Sequence, residues 1–233
     1  MKPDLTHAAQ RCPVLSKARP DTRKLLVESA SLRRLDRSDS LFLHETHADQ
    51  CFVIVFGWIK LYRILPNGSE AIIRMHTAGE TLAFADCLRD GQHQTGADAA
   101  SEATVLCIPA ALLREAIASD PDFGRILLTN SFDQIDSLNE QLESLKCQTA
   151  IQRVGCFLRR HARLREGRLV VLLPFEKGLV ASYLGIKPES LSRALGRLKG
   201  HGVRSGREEI EISDPAALDA LIHDDAGSLA YTG

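Results

Sequence analysis

Between Leu41 and Pro109 the chain alternates short apolar runs with turn residues. Cys51-Phe52-Val53-Ile54-Val55-Phe56 stops at Gly57, and Trp58-Ile59-Lys60-Leu61-Tyr62 runs on to Pro66-Asn67-Gly68. Ala71-Ile72-Ile73-Arg74-Met75 halts at Ala78-Gly79-Glu80, and Ala103-Thr104-Val105-Leu106-Cys107-Ile108 closes the series. Strand-length runs at this spacing, with an Asn-Gly turn signal, predict a small antiparallel barrel or sandwich.

Past Pro109 the apolar period lengthens. Residues 110–119 read as a short helix, and Asp120-Pro121 opens a long one reaching about Lys146, with proline favoured at the first helical position. Leu128, Ile135 and Leu142 fall in one heptad register, Leu138 and Leu145 in the other, with Ser131 the polar exception. The 3-4-3 spacing of Ile135, Leu138, Leu142 and Leu145 makes a narrow seam suited to an identical helix. The competing reading packs the same stripe on the chain's own barrel. Residues 148–163 continue as a basic amphipathic helix broken by Gly167, and residues 169–173 read as a strand.

Residues 175–195 have the pattern of two helices joined by a tight turn. Leu179, Val180 and Leu184 hold the first. Gly185 permits the left-handed backbone that the turn requires. Ile186, Leu191 and Leu195 pin the second, leaving Glu189, Ser190, Ser192, Arg193 and Arg197 toward its outer side. Residues 203–213, turning at Ser205-Gly206-Arg207, read as a two-stranded wing with Arg204 and Arg207 at its tip, and Asp214-Pro215 opens a last short helix. The resulting division is 1–120 for a β-rich domain with a helical N-terminal segment, 121–147 for the long helix, 148–223 for a winged helix-turn-helix, and 224–233 for a disordered tail.

Charge sharpens this picture. The 233 residues carry a net charge of −1, yet between Lys146 and Arg207 there are 14 Lys and Arg against 3 Asp and Glu. A basic module for a polyanion joined to an acidic module of different purpose fits that asymmetry, although a merely solvated basic face gives the same count. No apolar run approaches the roughly 20 residues of a membrane span. The first 30 residues lack a secretory apolar core, so a cytoplasmic protein is expected. The six cysteines, at 12, 51, 87, 107, 147 and 156, form no C-x-x-C pair. They predict neither a disulfide framework nor a zinc site.

Tyr183-Leu184-Gly185, Glu189-Ser190-Leu191-Ser192-Arg193 and Gly57-Trp58-Ile59-Lys60-Leu61-Tyr62-Arg63 resemble the family of the cyclic-AMP receptor protein and the fumarate-nitrate regulator. The resemblance runs over nearly the whole chain. It implies an α+β protein: an antiparallel β-barrel of the cyclic-nucleotide-binding, jelly-roll type, a dimerisation helix and a DNA-reading winged helix-turn-helix. The residues matching Glu189 and Arg193 contact base edges in that family, and Ser192 matches its fumarate-nitrate branch. Arginine can donate twice to guanine while glutamate accepts from cytosine N4. Four residues apart, both lie on one helical face and can enter one major groove. Lys187, Ser190, Arg197, Arg204 and Arg207 are then expected at phosphates. Lys187 stands where relatives often carry Ser or Thr, so the second helix lacks an oxygen cap. Pro188 at its first position offsets part of that loss. The partners implied are a second copy of the chain, duplex DNA with palindromic TTGA-like half-sites about one helical turn apart, and RNA polymerase.

Three effectors can be weighed. Gly79-Glu80 matches the turn of nucleotide-binding relatives, but Gly91-Gln92-His93-Gln94-Thr95 holds no arginine to pair with a cyclic phosphate, which argues against cyclic AMP. An iron–sulfur cluster needs several cysteines near the N-terminus, and only Cys12 is there. The motifs at 57–63 and 187–193 look like those of the denitrification regulators of the Dnr and NnrR type. That likeness implies a nitric-oxide-responsive activator of nitrite and nitric oxide reductase genes, with haem as the sensor. His44, His47, His76 and His93, with Cys51 and Cys87, are the available axial ligands, and no spacing singles one out.

Two other classes fit less well. A cupin-like metalloenzyme presents an H-x-H pair and a glutamate, whereas His44-Glu45-Thr46-His47 has a different spacing, and His44, His47 and Cys51 make only a sparse metal clip. A nucleoid protein using the basic half alone would leave the acidic domain and the Glu189/Arg193 pair without purpose. A non-enzymatic regulator is the expectation.

Overall fold

The computed structural model describes residues 9–89, 91–172, 177–206 and 209–224. The chain divides into two compact units, residues 1–135 and 136–233.

Two short helices, α1 (Pro13–Lys17) and α2 (Pro20–Glu28), open the described part of the first unit. Eight strands follow: β1 (Ser31–Leu35), β2 (Ser40–Phe42), β3 (Gln50–Phe56), β4 (Trp58–Ile64), β5 (Glu70–Thr77), β6 (Thr81–Leu82), β7 (Gly96–Ala99) and β8 (Ala103–Pro109). Between β6 and β7 lies α3 (Phe84–Leu88). The strands form two antiparallel four-stranded sheets, ordered β1-β8-β3-β6 and β2-β7-β4-β5. The expected barrel is therefore an open sandwich: among the described residues, no ladder of hydrogen bonds joins the two sheets.

Period-two burial explains the layers. Phe52 and Ile54 of β3 and Val105 and Cys107 of β8 face the second sheet, where Leu41, Ile59, Ala97 and Ala99 meet them. The alternate residues Cys51, Val53, Leu106 and Ile108 face outward, and Leu15, Leu26, Leu113 and Phe123 cover them with helices. A strand buried on both faces loses simple alternation, and that is why residues 51–56 read as a continuous apolar run. Strands β1, β2, β6 and β7 lay outside the runs picked out in the sequence, because they are short or carry charge, as Arg33 and Arg34 do in β1.

Helix α4 (Ala110–Ser119) leads to α5 (Pro121–Cys147). The latter starts at the position its Asp-Pro signal predicted, and Asp120 is its anchor. One Asp120 oxygen accepts from the Phe123 N–H at 3.2 Å and from the Arg19 guanidinium; the other accepts from the Thr22 hydroxyl at 2.6 Å. Arg19 first and Thr22 next hold this carboxyl well below the usual carboxylate range. Phe123 and Leu127 bury the first turns of α5. Leu128, Ile135, Leu138, Leu142 and Leu145 stay 44–56% exposed, and Phe132 beside them is 56% exposed. In the single chain the heptad stripe is thus uncovered. The division between units falls inside this helix.

In the second unit α6 (Ala150–His161) begins with a capping box: the Thr149 hydroxyl accepts from the Gln152 N–H, and the Gln152 side chain accepts from the Thr149 N–H. The helix ends at His161, two residues short of expectation, and Arg163 begins a strand. Strands β9 (Arg163–Arg165) and β10 (Arg168–Leu172) form a hairpin with Glu166 at φ +51° and Gly167 at φ +76°. Gly167 therefore turns a hairpin instead of breaking a helix; two positive φ values in a two-residue loop are the type I′ geometry. After α7 (Lys177–Tyr183) and α8 (Pro188–Leu198), strands β11 (Val203–Ser205) and β12 (Glu209–Ile212) complete a sheet ordered β11-β12-β10-β9. Helix α9 (Pro215–Ile222) closes the described chain, capped by Asp214, whose side chain accepts from the Ala217 N–H at 3.0 Å. The tail expected from 224 lies outside the described residues after Asp224. Among the described residues no helix is long and apolar enough to cross a membrane.

Candidate nucleic-acid interface

Helix α8 is strongly two-sided. Leu191, Ala194, Leu195 and Leu198 are buried against the body of the unit. On the opposite side Glu189, Ser192, Arg193 and Arg197 are exposed, and Ser190 is half-buried. Arg193 Nη2 donates to Ser190 Oγ at 3.4 Å, which inclines the guanidinium along the exposed face. Spacing alone predicted this partition, because buried positions three and four apart leave the complementary arc to solvent.

The turn before α8 has the geometry the sequence called for. Gly185 sits at φ +63°, and its Cα hydrogens face the Leu145 methyls, where a Cβ would come within 3.3 Å. The Gly185 and Ile186 N–H groups donate back to Ser182 and Ala181 carbonyls at 3.1 and 3.0 Å. Val180 and Leu184 are buried and Leu179 half-buried, as their spacing required. Phe175, expected in the first helix, lies outside the described residues.

Lys187 occupies the N-cap of α8 with extended backbone, and its side chain makes no capping hydrogen bond. Lys187 and Arg204 are both exposed. Arg204 lies on β11, the first strand of the wing, whereas Arg207 falls outside the described residues.

Arg153 was not singled out by its sequence. From α6 its Nη1 donates to the Leu184 carbonyl at 2.9 Å, holding the end of α7 where the turn begins. A lone arginine on a basic amphipathic helix carries no signal that would separate it from its neighbours Arg159 and Arg160, which pair with Asp219 and Glu140 at 2.8 and 2.7 Å.

The four histidines of the first unit are not brought into one site. His44 is exposed, and His47 is exposed beside Asp49 at 3.0 Å. His76 and His93 are buried, and the Nδ1 of each lacks a hydrogen-bond partner. His76 Nδ1 lies only 2.7 Å from a Glu80 oxygen but outside hydrogen-bond geometry. Burial pushes the Glu80 carboxyl up, yet the imidazole and the Thr77 N–H outweigh it and leave the group below its ordinary range. His93 stacks on Phe42, with ring centroids 3.9 Å apart, and lies 3.5 Å from an Asp86 oxygen. Cys51 and Cys87 are buried. No group of three or more His, Cys, Asp or Glu is set to hold a metal among the described residues.

Comparison with known proteins matches two family profiles. The cyclic nucleotide-binding domain covers residues 32–120, and the Crp-like helix-turn-helix domain covers residues 152–221. The anaerobic regulatory protein of Aggregatibacter actinomycetemcomitans is 30% identical over 196 residues, which span 80% of this chain and 74% of the relative. The nitrogen fixation regulation protein FixK of Rhizobium meliloti is 26% identical over 74% of this chain and 78% of its own. Among solved structures, a Ruegeria pomeroyi protein assigned to cyclic nucleotide binding is 36% identical, covers 97% of this chain and 100% of its own, and superposes with a TM-score of 0.74.

Proposed function

The chain belongs to the CRP/FNR family of transcription regulators, and on that premise we propose that it acts as a homodimer placing two copies of α8 in successive major grooves of a palindromic operator. Glu189 and Arg193 read base edges with Ser192 beside them, toward TTGA-like half-sites. Lys187, Ser190, Arg197, Arg204 and Arg207 fix the register through phosphates. The observation that carries this reading is the exposed Glu189/Arg193 face of α8 directly behind buried Leu191 and Leu195. The uncovered stripe from Leu128 to Leu145 supports the dimer. Selection of binding sites from a random duplex pool, followed by footprinting, tests it: enrichment of a palindrome is expected, and binding without preference rejects base readout.

The relatives named for anaerobic and nitrogen-fixation regulation support a role in metabolism under low oxygen, with RNA polymerase as the partner at the promoter. The narrower reading, activation of nitrite and nitric oxide reductase genes by nitric oxide, is supported by the motifs at 57–63 and 187–193. The geometry does not favour haem as its carrier. His44 and His47 face solvent, while His76 and His93 each lie against a carboxylate, and Phe42 packs on the His93 ring. Operator affinity measured with and without a nitric oxide donor, alongside an absorption spectrum of protein mixed with ferrous haem, separates the effector from its carrier. Unchanged affinity removes nitric oxide, and a spectrum identical to free haem removes haem.

A further inference from the structure

The β9–β10 hairpin carries charge that the recognition helix does not explain. Arg163, Arg165 and Arg168 are all exposed on it, and Leu164 at its edge is 77% exposed. Arg168 has Glu166 and Glu209 oxygens only at 3.9 Å. Arg163 donates to the Arg160 and Ala162 carbonyls, and neither it nor Arg165 has an ion-pair partner among the described residues.

Strand register fixes where these side chains stand. Arg204 is opposite Glu211, Glu211 opposite Val170, and Val170 opposite Arg163, so Arg204 and Arg163 share one face of the four-stranded sheet. Arg165 and Arg168 oppose each other two residues along on that same face. With strands about 4.8 Å apart, the row from Arg204 to Arg163 spans roughly 14 Å. That length matches about four base steps of B-form duplex at about 3.4 Å per step. Directly opposed like charges destabilise a strand pair. Arg165 facing Arg168 therefore costs folding energy that a bound polyanion would relieve. The tight Glu166-Gly167 turn holds the pair in place.

We propose that the β9–β10 hairpin is a second phosphate-binding edge of the DNA-binding unit, continuing across the sheet the contact made by Arg204. It rests on the reading that this unit binds DNA, and it adds no sequence discrimination. The test is the triple variant Arg163→Gln, Arg165→Gln, Arg168→Gln, compared with wild type on the palindromic operator and on an unrelated duplex of equal length over a range of salt. The expected result is a loss on the order of tenfold on both duplexes, with the slope of log K against log salt reduced by about 0.9 for each contact removed. The matching triple Lys variant should recover most of both, and unchanged melting temperatures show that folding is intact. Wild-type affinity for both duplexes overturns the proposal. So does intact DNA binding coupled to lost transcription with RNA polymerase, since the hairpin would then be a protein-docking surface. Preference of the wild type for the palindrome is read separately, so failure of base readout is distinguishable from failure of the hairpin contact.

Discussion

Arg153 Nη1 lies 2.9 Å from the carbonyl oxygen of Leu184, and through that bond α6 supports the turn from which the recognition helix departs. The last carbonyls of a helix have no partner inside it, so this guanidinium supplies one to α7. Arg153→Met should lower stability by about 1–3 kcal/mol, the cost of an unsatisfied, partly buried carbonyl. Operator affinity should fall as well, with half-site preference retained in whatever binding remains. Thermal unfolding and binding titrations on permuted operators check both outcomes.

Arg193→Ala should cost about 1–3 kcal/mol per half-site and relax discrimination at a single G·C pair. Arg204→Ala should weaken every sequence alike and flatten the salt dependence. Competition among single-base operator variants distinguishes the two. A uniform loss for Arg193→Ala would make it a backbone contact.

Gly185→Ala places a side chain at φ +63°, with its methyl 3.3 Å from Leu145 Cδ2. Left-handed backbone costs a non-glycine residue about 1–2 kcal/mol. A lower melting temperature and weaker DNA binding are expected together, because the strain lies in the interhelical turn itself.

The double change Leu138→Lys, Leu142→Lys should give a folded monomer. Both side chains are about half exposed in the single chain, so its own core loses little. Opposing lysines across a two-fold seam repel, and the apolar contact worth about 2 kcal/mol per leucine disappears. Sedimentation reads the mass, and operator affinity should collapse with it.

Acid should destabilise the first unit with a defined sign. Asp120 and Glu80 have folded pKa values below their unfolded values of about 3.9 and about 4.3. Their stabilisation is complete above those values and is lost as pH falls through the folded ones. Asp120→Asn should be less stable than wild type near neutrality and should show a shallower loss between about pH 5 and pH 2. Parallel acid-unfolding curves would remove Asp120 as the source.

The sequence disclosed the parts of this molecule whose burial has one period. The two faces of α8, the left-handed Gly185, the Asp-Pro start of α5 and the runs that became β3, β4, β5 and β8 could all be read from spacing. Strands β1, β2, β6 and β7 could not. Arg33 and Arg34 mask a short paired strand, and Thr81-Leu82 is too brief to have a period. Gly167 misled because the same residue serves as helix stop and as hairpin turn, and only the Arg165–Arg168 pairing decides between them. Arg153 and the Arg19–Asp120–Thr22 cluster join residues far apart in the chain, and no local pattern encodes such pairs.

Cys12, Cys51, Cys87 and Cys107 are all sealed inside the first unit, while Cys147 is exposed and Cys156 partly so in the second. Alkylating reagents will therefore meet two populations of sulfur. Cys147, and more slowly Cys156, should be tagged in the native protein, whereas the other four become reachable only when the sandwich opens. Counting tags by mass over time turns the natural residues into a clock for opening of the sensor half, with no engineered probe and no spectroscopic label.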